Sequence, residues 1–280
     1  MAGVSLYDNV GSRPLVMGVL NVTPDSFFDG GRYLDHDAAI ARGREMIAEG
    51  ADIVDVGGES TRPGAAAVSE HEELRRVIPV IEALAGDVRL SIDTTKEAVA
   101  RRAVAAGAFM VNDVSASLEQ VASDTGAAFV AMHRRGTPAD MQDDPRYDDV
   151  VAEVTAYLAA RAARASAVGV EEVWVDPGIG FGKTAMHNLQ LLGGLPELVA
   201  LGYPVLVGTS RKSFLGRIAT EKLLRGGSPA PAEDRFEGSL ASATYAMAKG
   251  AAAVRVHDVA ATAQAAQLVG SMRAVRPAPA

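Results

Sequence analysis

Residues 45–59 read EMIAEGADIVDVGGE, and this stretch contains one copy of a unit that recurs along the chain. A helical segment ends at Gly50, a mostly apolar run follows at Ile53–Val56, and polar residues such as Glu59 come next. Glycine just after a helix adopts a left-handed backbone conformation without the penalty that a Cβ atom imposes. A valine-rich run that is apolar on both faces is typical of a buried parallel strand.

The order of helix, glycine and apolar run repeats until eight runs have passed. The runs lie at 15–20, 53–56, 88–92, 109–111, 127–132, 173–175, 205–207 and 252–256. Eight alternating strands and helices predict a single (β/α)8 TIM barrel of the α/β class, with residues 1–280 in one domain. Residues 1–13 and 274–280 are expected to be peripheral or flexible. A doubly wound open sheet is the alternative, but eight runs without a compositional break favour the closed barrel.

Local signals also place the helix starts and their buried faces. Ser69 with Glu72, and Thr94 with Glu97, have the spacing of a capping box. In the helix that follows the fifth run, three large apolar residues recur at intervals of four positions, which predicts that they share one buried face. They are Val150, Val154 and Leu158.

Composition excludes several functions. The net charge is −8 and there is no basic run, which argues against nucleic acid as a partner. The chain has no cysteine, so disulfides and cysteine-ligated zinc are excluded and a cytoplasmic location is favoured. The first residues lack the pattern of a signal peptide, and no apolar run is long enough to span a bilayer, so no membrane partner is expected.

Polar side chains follow almost every apolar run, whereas the opposite ends of the runs have comparatively few polar side chains. In a barrel all of these exits lie on the C-terminal rim, where barrel enzymes keep their active sites. The exits carry Asn21, Asp55 with Glu59, Asp93, Asn112 with Asp113, His133, Asp176, Ser210 with Lys212, and Arg255 with His257. We therefore predict an active site at this rim.

The sixth exit combines a carboxylate with a glycine-rich segment. Asp176 is followed by PGIGFGK at 177–183, and so many glycines suggest a backbone shaped to approach a ligand closely. A buried carboxylate that faces two adjacent N–H donors, such as those of an amidine-like ring edge, forms a strong paired hydrogen bond. Acid–base catalysis is the competing role. A Walker phosphate loop is excluded, because Pro177 stands where its first glycine is needed.

The seventh and eighth exits carry potential cations. Lys212, Arg255 and His257 lie there, beside a predicted helix start near Asp258. This is the common phosphate position of barrel enzymes, and a helix N-terminus adds favourable N–H donors. A surface salt-bridge cluster is the alternative, but it fits poorly because Lys212 and Arg255 adjoin apolar strand residues.

Seven motifs in chain order resemble the dihydropteroate synthase family. They are NVTPDSFFDGG at 21–31, GGESTRPG at 57–64, SIDT at 91–94, NDV at 112–114, DPGIGFGK at 176–183, GTSRKSF at 208–214 and RVHDV at 255–259. The resemblance implies a TIM barrel, usually a homodimer, that condenses 6-hydroxymethyl-7,8-dihydropterin pyrophosphate with p-aminobenzoate. It also implies dissociative displacement of Mg-pyrophosphate, with Mg²⁺ as the cofactor, to give 7,8-dihydropteroate for folate biosynthesis.

The resemblance assigns a role to individual residues. Pterin binding falls to Asp93, Asn112, Asp176, Lys212 and Arg255. Pyrophosphate binding falls to Asn21, Thr61, Arg255 and His257, with Asn21 also holding the metal. The p-aminobenzoate residues are Thr61, Arg62, Phe181, Ser210 and Lys212, and the catalytic residues are Asp29, Phe27, Lys212 and Arg255. The segments 21–31 and 57–64 are expected to act as lids over the substrates.

Two departures from the family pattern bear on the site. Ala116 and Ser117 stand where the family usually has two glycines, which leaves the shape of the fourth exit open. Arg134 and Arg135 replace residues that are more often apolar or amide, near the expected p-aminobenzoate side. His133, at the fifth exit, receives no role in binding, and a structural role is expected for it.

Two other functions share parts of this pattern. A pterin-binding methyltransferase barrel has the same fold and pterin carboxylates, but it needs no cation cluster such as Lys212 with Arg255 and His257. A non-catalytic pterin-binding paralogue would be marked by degraded lid sequences, and both lid sequences are intact here. The synthase function is therefore favoured.

Overall fold

A computed structural model of the chain describes residues 13–23, 35–60, 67–137, 140–219 and 231–275. Eight parallel strands alternate with helices through this part of the chain. The strands are β1 (Leu15–Asn21), β2 (Ile53–Gly57), β3 (Arg89–Asp93), β4 (Met110–Asp113), β5 (Ala128–Met132), β6 (Val173–Asp176), β7 (Leu206–Val207) and β8 (Ala253–Val256). Each strand overlaps one of the eight predicted apolar runs.

Helices pack around the outside of the sheet. They are α1 (His36–Ala48), α2 (Glu70–Leu84), α3 (Glu97–Ala105), α4 (Glu119–Thr125), α5 (Val150–Ala167), α6 (Ala185–Gly193), α7 (Leu195–Val199), α8 (Ser213–Ala219), α9 (Phe236–Ala248) and α10 (Val259–Ala274). A short 3₁₀ helix at Ala232–Asp234 precedes α9. No helix within the described ranges is long and apolar enough to cross a membrane.

The sheet closes on itself. Its strand order is β6-β5-β4-β3-β2-β1-β8-β7, so β6 and β7 are the two ends of that order. A parallel bridge pairs Val175 of β6 with Val205, just before β7, and Val175 donates a backbone hydrogen bond of 3.0 Å to Pro204. The predicted TIM barrel is confirmed, and the open-sheet alternative is wrong.

The helix ends and starts agree with most of the local signals. The glycine before each of strands two to eight has a positive φ, between +70° and +119°, as a left-handed helix end requires. Ser69 caps α2 by accepting a hydrogen bond from the Glu72 amide. The predicted cap at Thr94 is wrong, because α3 begins at Glu97 after Lys96 and the Thr94 hydroxyl accepts from the Lys96 amide instead.

Two apolar layers stabilise the barrel. The larger one lies between the sheet and the helices and includes the predicted α5 face of Val150, Val154 and Leu158, all of which are buried. The smaller one fills the barrel interior, with Trp174 as its largest side chain. Burial of this apolar area is the main favourable term in folding, and the polar rim lies above the interior layer.

Of the two expected peripheral ends, only small parts lie within the described ranges. Arg13, at the edge of the first, is anchored: its guanidinium donates hydrogen bonds of 2.7 and 2.8 Å to the carboxylate of Asp52. Ala274 at the other end is the last residue of α10. The ranges 1–12 and 276–280 are outside the described residues.

Candidate active site at the carboxyl rim of the barrel

The inward-facing side chains change from apolar to polar toward the carboxyl ends of the strands. Ile53 and Trp174 belong to the interior apolar layer, and Asp55 and Asp176 come two positions later on the same strands. Residues two apart on a strand share a face, so these carboxylates point into the barrel above the apolar layer. Asn112 and Arg255 follow Met110 and Ala253 in the same way. The strand pattern alone therefore builds a polar floor at this rim.

Arg255 joins two carboxylates from neighbouring parts of the barrel. Its Nε donates a hydrogen bond of 2.6 Å to Asp55 Oδ2, and its Nη2 donates one of 2.8 Å to Asp93 Oδ2. Asn112 Nδ2 donates to the same Asp55 oxygen at 3.1 Å. Three of the residues predicted to bind pterin, Asp93, Asn112 and Arg255, are thus brought together on one network.

Asp55 is a member of this network to which the sequence analysis gave no role beyond lying at a strand exit. It is fully buried and pairs with both Arg255 and Asn112 through one oxygen. A signal for it was present: Asp55 is the one charged residue in β2, on the same face as Ile53, which predicts an inward carboxylate.

Burial sets the protonation behaviour of this network. Loss of hydration raises the pKa of Asp93 to about 7, while the positive charge of Arg255 opposes the shift. Burial also acts to lower the pKa of Arg255, but the charges of Asp55 and Asp93 outweigh it, and the pKa of the guanidinium is raised. The guanidinium therefore stays charged and compensates two buried carboxylates.

Asp176 ends β6 with its carboxylate at the base of the rim. Oδ1 accepts a hydrogen bond of 2.7 Å from the Gly178 amide, and a carboxylate has further lone pairs that can accept from a ligand. Burial raises the pKa of Asp176, whereas the neighbouring Lys212 ammonium lowers it. The site thus presents acceptor capacity toward a ligand, as the sequence analysis required for a donor pair.

Lys212 reaches the same region from the loop after β7. Its Nζ donates a hydrogen bond to the Ile179 carbonyl oxygen and lies 4.9 Å from the centroid of the Phe181 ring. Burial lowers the pKa of Lys212 to about 8, against the opposing effect of Asp176. Two residues predicted for the p-aminobenzoate side, Phe181 and Lys212, are therefore in contact.

The glycines of the sixth loop, defined as residues 177–184, allow its backbone to approach a neighbouring loop closely. A Cβ atom on Gly178 would lie 1.9 Å from the His133 carbonyl oxygen, and one on Gly182 would lie 2.2 Å from the Arg135 carbonyl oxygen. Both have positive φ, of +63° and +65°. Gly178 and Gly182 thus pack against the backbone of the fifth loop, residues 133–149, and a Cβ atom on Gly180 would lie 3.2 Å from the Lys212 side chain. Close approach of this loop to a ligand stays a prediction.

His133 and Lys183 lie between these two loops. Lys183 Nζ is 2.8 Å from His133 Nδ1, and both side chains are buried. Burial lowers the pKa of His133 to about 3, and burial also lowers the pKa of Lys183. His133, for which a structural role is expected, thus has Lys183 as its partner. Lys183, like Asp55, has no binding role assigned from the sequence.

The seventh and eighth exits are joined by a side-chain contact. Ser210 Oγ lies 3.0 Å from His257 Nδ1, and the His257 amide donates to the same oxygen at 3.2 Å. Asp258 precedes α10 and pairs with Arg211 at 2.7 Å instead of capping the helix. The predicted p-aminobenzoate residue Ser210 and the predicted pyrophosphate residue His257 therefore share one corner of the rim.

The two departures from the family pattern have clear conformations. Ala116 has a φ of +51°, in the left-handed region that glycine occupies without strain, and the buried Asp113 carboxylate accepts from the Ser117 and Leu118 amides around it. Arg135 is turned toward α5, since its guanidinium stacks on the Tyr147 ring at 3.9 Å and pairs with Glu153. The Arg135 side chain is thus engaged with α5.

Four of the predicted site residues, Phe27, Asp29, Thr61 and Arg62, are outside the described residues, as are residues 24–31 of the first lid segment and 61–64 of the second. Asn21 is described: it is the last residue of β1 and pairs in register with Gly57, which in turn pairs with Asp93.

No cluster of three or more histidine or acidic side chains suited to a metal occurs among the residues with described positions. A single amide oxygen fits Mg²⁺ held mainly through substrate phosphates.

Comparisons with known proteins agree with this geometry. The family model described as "Pterin binding enzyme" matches residues 17–257. A dihydropteroate synthase of Synechocystis is 47% identical over 94% of this chain and 91% of its own length. The crystal structure of Yersinia pestis dihydropteroate synthase with a sulfonamide drug complex has a TM-score of 0.85 and 43% identity over 94% of this chain and 95% of that chain. Xanthomonas albilineans dihydropteroate synthase with 4-aminobenzoic acid has a TM-score of 0.84 and 47% identity, covering 94% of each chain.

Proposed function

Since the chain belongs to the pterin-binding enzyme family and, within it, to the dihydropteroate synthases, we propose how its rim joins 6-hydroxymethyl-7,8-dihydropterin pyrophosphate to p-aminobenzoate. The chain is a transferase of folate synthesis, and its products are 7,8-dihydropteroate and pyrophosphate. Its similarity to synthases over more than nine tenths of their length argues against the methyltransferase and the non-catalytic alternatives.

The observation that best supports the binding roles is the buried ion network at the rim. Asp93, Asn112 and Arg255 share hydrogen bonds through Asp55, so their positions are fixed before a ligand arrives. Preorganised polar groups in a water-excluded site stabilise developing charge more strongly than groups in water. We assign the pterin to this network together with Asp176, whose carboxylate accepts from the pterin's adjacent N–H donors.

The reaction follows a dissociative path in this proposal. The bond between the pterin methylene carbon and pyrophosphate breaks, and pyrophosphate leaves with the bonding electron pair. The methylene cation is conjugated with the pterin ring, and the buried carboxylates of Asp93 and Asp176 favour positive charge nearby. The nitrogen lone pair of p-aminobenzoate then forms the new C–N bond and the nitrogen loses a proton. Positioning and charge stabilisation supply the catalysis, with no covalent intermediate on the protein.

The anion and the second substrate occupy the remaining exits. Asn21, Arg255 and His257 hold pyrophosphate, while Phe181, Ser210 and Lys212 surround p-aminobenzoate. Mg²⁺ bound through the Asn21 amide oxygen and the phosphates would neutralise charge on the leaving group. The roles of Asp29 and Phe27 in catalysis, and of Thr61 and Arg62 in binding, rest on the resemblance of their motifs alone.

The remaining properties are inferred from the family. We propose that the enzyme is a cytoplasmic homodimer and that its whole chain forms one domain. The single domain is supported by one family model that spans residues 17–257 and by one sheet that contains all eight strands, whereas the homodimer and the location rest on the resemblance and the composition.

Calorimetry tests whether the anion completes the p-aminobenzoate site. Titration of p-aminobenzoate should give heat of binding only when pyrophosphate and Mg²⁺ are already present, because the anion shares the corner formed by Ser210 and His257. Binding that is equally tight without pyrophosphate would contradict the proposed arrangement of the two substrates.

A further inference from the structure

Lys183 is a buried lysine that none of the proposed binding roles uses. Its side chain is only 2% exposed. Nζ lies 2.8 Å from His133 Nδ1 and 3.0 Å from the carbonyl oxygens of both Gly178 and Phe181, and the His133 carbonyl oxygen is at 3.3 Å. An ammonium group has three N–H donors, so the three shorter contacts match its full capacity.

These contacts link two loops from neighbouring strands. The Gly178 and Phe181 carbonyls belong to the sixth loop, whereas His133 belongs to the fifth. The backbones of the two loops already lie so close that a Cβ on Gly178 would clash with the His133 carbonyl. Lys183 therefore lies where the two loops touch, and its contacts with two carbonyl groups of the sixth loop stabilise the bend of that loop.

His133 is suited to accept from the ammonium. Its pKa is lowered to about 3, first by burial and then by the nearby Lys183, so the imidazole is neutral near pH 7. Nδ1 faces the Lys183 nitrogen, and the ring packs edge-on against Tyr157 at a centroid distance of 4.9 Å. A neutral, packed imidazole gives the lysine a partner with a fixed position.

The sixth loop contacts the proposed site at three points. The Gly178 amide donates to Asp176, the Ile179 carbonyl accepts from Lys212, and the Phe181 ring lies beside the Lys212 ammonium. Asp176 itself is held by β6 and its strand pairing, whereas the backbone of Phe181 lies in the loop, outside any strand or helix. Loss of the lysine contact to the Phe181 carbonyl should thus disturb Phe181 more than Asp176.

We propose that Lys183, held by His133, is a positioning residue that sets the place of Phe181 and thereby the affinity for p-aminobenzoate. This inference rests on the proposed function, because it assigns Phe181 to the p-aminobenzoate side. It makes Lys183 selective between the two substrates, which a residue that merely stabilised the fold would not be.

Steady-state kinetics of the full-length enzyme with each substrate varied in turn tests the inference. We expect Lys183→Met to raise the KM for p-aminobenzoate at least about tenfold, as for loss of a hydrogen bond to a charged group, with less than about threefold change in the KM for the pterin pyrophosphate. Lys249→Met is the matched control, since Lys249 is exposed directly after α9, with its ammonium 5.4 Å from the centroid of the Tyr245 ring, and its loss should leave both KM values unchanged.

Two variants of the partner separate positioning from folding. His133→Asn keeps an acceptor near the place of Nδ1 and should stay close to wild type, whereas His133→Phe should reproduce the selective loss seen with Lys183→Met. If Lys183→Met does not fold, this pair decides the question. Equal changes in both KM values, or unchanged KM values with less folded enzyme, would overturn the inference. Wild-type protein that makes no dihydropteroate would instead show that the proposed function has failed, and the inference would fall with it.

Discussion

Lys212 illustrates how the site controls charge at single residues. Its ammonium lies among buried groups, where burial lowers its pKa to about 8 and Asp176 opposes that change. A lysine with such a pKa is charged near neutral pH but loses its proton only slightly above it. The charge of the Lys212 side chain at the binding site therefore depends on pH in a range that is easily measured.

The pH dependence of kcat/KM for the pterin pyrophosphate should reveal this ionisation. Since the free enzyme is competent when Lys212 is protonated, kcat/KM should fall as pH rises through about 8. Lys212→Arg keeps the positive charge at all accessible pH values and should remove this alkaline decline, whatever its effect on the absolute rate. A decline with the same midpoint in the Lys212→Arg variant would assign the ionisation to another group.

Ala116 has a strained backbone conformation, and its Cβ atom is the cause of the strain. Its φ of +51° places a Cβ atom in the left-handed region, which costs roughly 1–2 kcal/mol for a residue other than glycine. Glycine relieves that cost, but it gains entropy in the unfolded chain, which offsets about 0.4–1 kcal/mol, and it removes a buried methyl group, which offsets about 0.8 kcal/mol.

Ala116→Gly should therefore change the free energy of unfolding by less than about 1 kcal/mol in either direction, measured by urea denaturation. The same change at Ala160, an exposed residue inside α5, serves as the control and should lower it by about 1 kcal/mol. Destabilisation of similar size in both variants would mean that the left-handed conformation of Ala116 is not strained.

Among the elements, the contact between the fifth and sixth loops does most to shape the site. The loops follow neighbouring strands, β5 and β6, and pack backbone against backbone at Gly178 and Gly182. The Tyr147 hydroxyl adds a hydrogen bond of 2.8 Å to the Gly182 carbonyl. The glycines are thus required by the neighbouring loop, and through it they determine where Phe181 lies.

Gly178→Ala should be destabilising by on the order of 2 kcal/mol or more, since its Cβ would lie 1.9 Å from a backbone oxygen and its φ is positive. Gly193→Ala is the matched control, because it ends α6 with nothing within 4 Å of the added atom, and alanine is favoured in a helix. Thermal unfolding of both variants provides the comparison, and equal Tm values would contradict the proposed packing.

The elements also show what local sequence can and cannot predict. The glycine before each strand and the buried face of α5 were predictable because they depend on residues close in the chain. The cap at Thr94 was wrong because a threonine can bond an amide two positions away as readily as one in a helix's first turn. Asp55 was predicted to lie at the rim, but its pairing with Arg255 was not predictable because the two residues are 200 positions apart.

For the molecule as a whole, closure of the barrel is what turns separate strand exits into one site. Asp55, Asp93, Asn112, Asp176 and Arg255 come from five strands, and only a closed sheet with parallel strands brings all their carboxyl ends to one rim. Motif resemblance predicts which residues form the site, whereas their hydrogen bonds and the loop contacts behind them required the folded structure.

Coupled release of pyrophosphate is the measurement that decides whether this rim performs the proposed condensation. Purified enzyme with 6-hydroxymethyl-7,8-dihydropterin pyrophosphate, p-aminobenzoate and Mg²⁺ should release one pyrophosphate for each dihydropteroate formed, and omission of either p-aminobenzoate or Mg²⁺ should abolish turnover. Release that continues at the same rate without p-aminobenzoate, or no release with all components present, would contradict it.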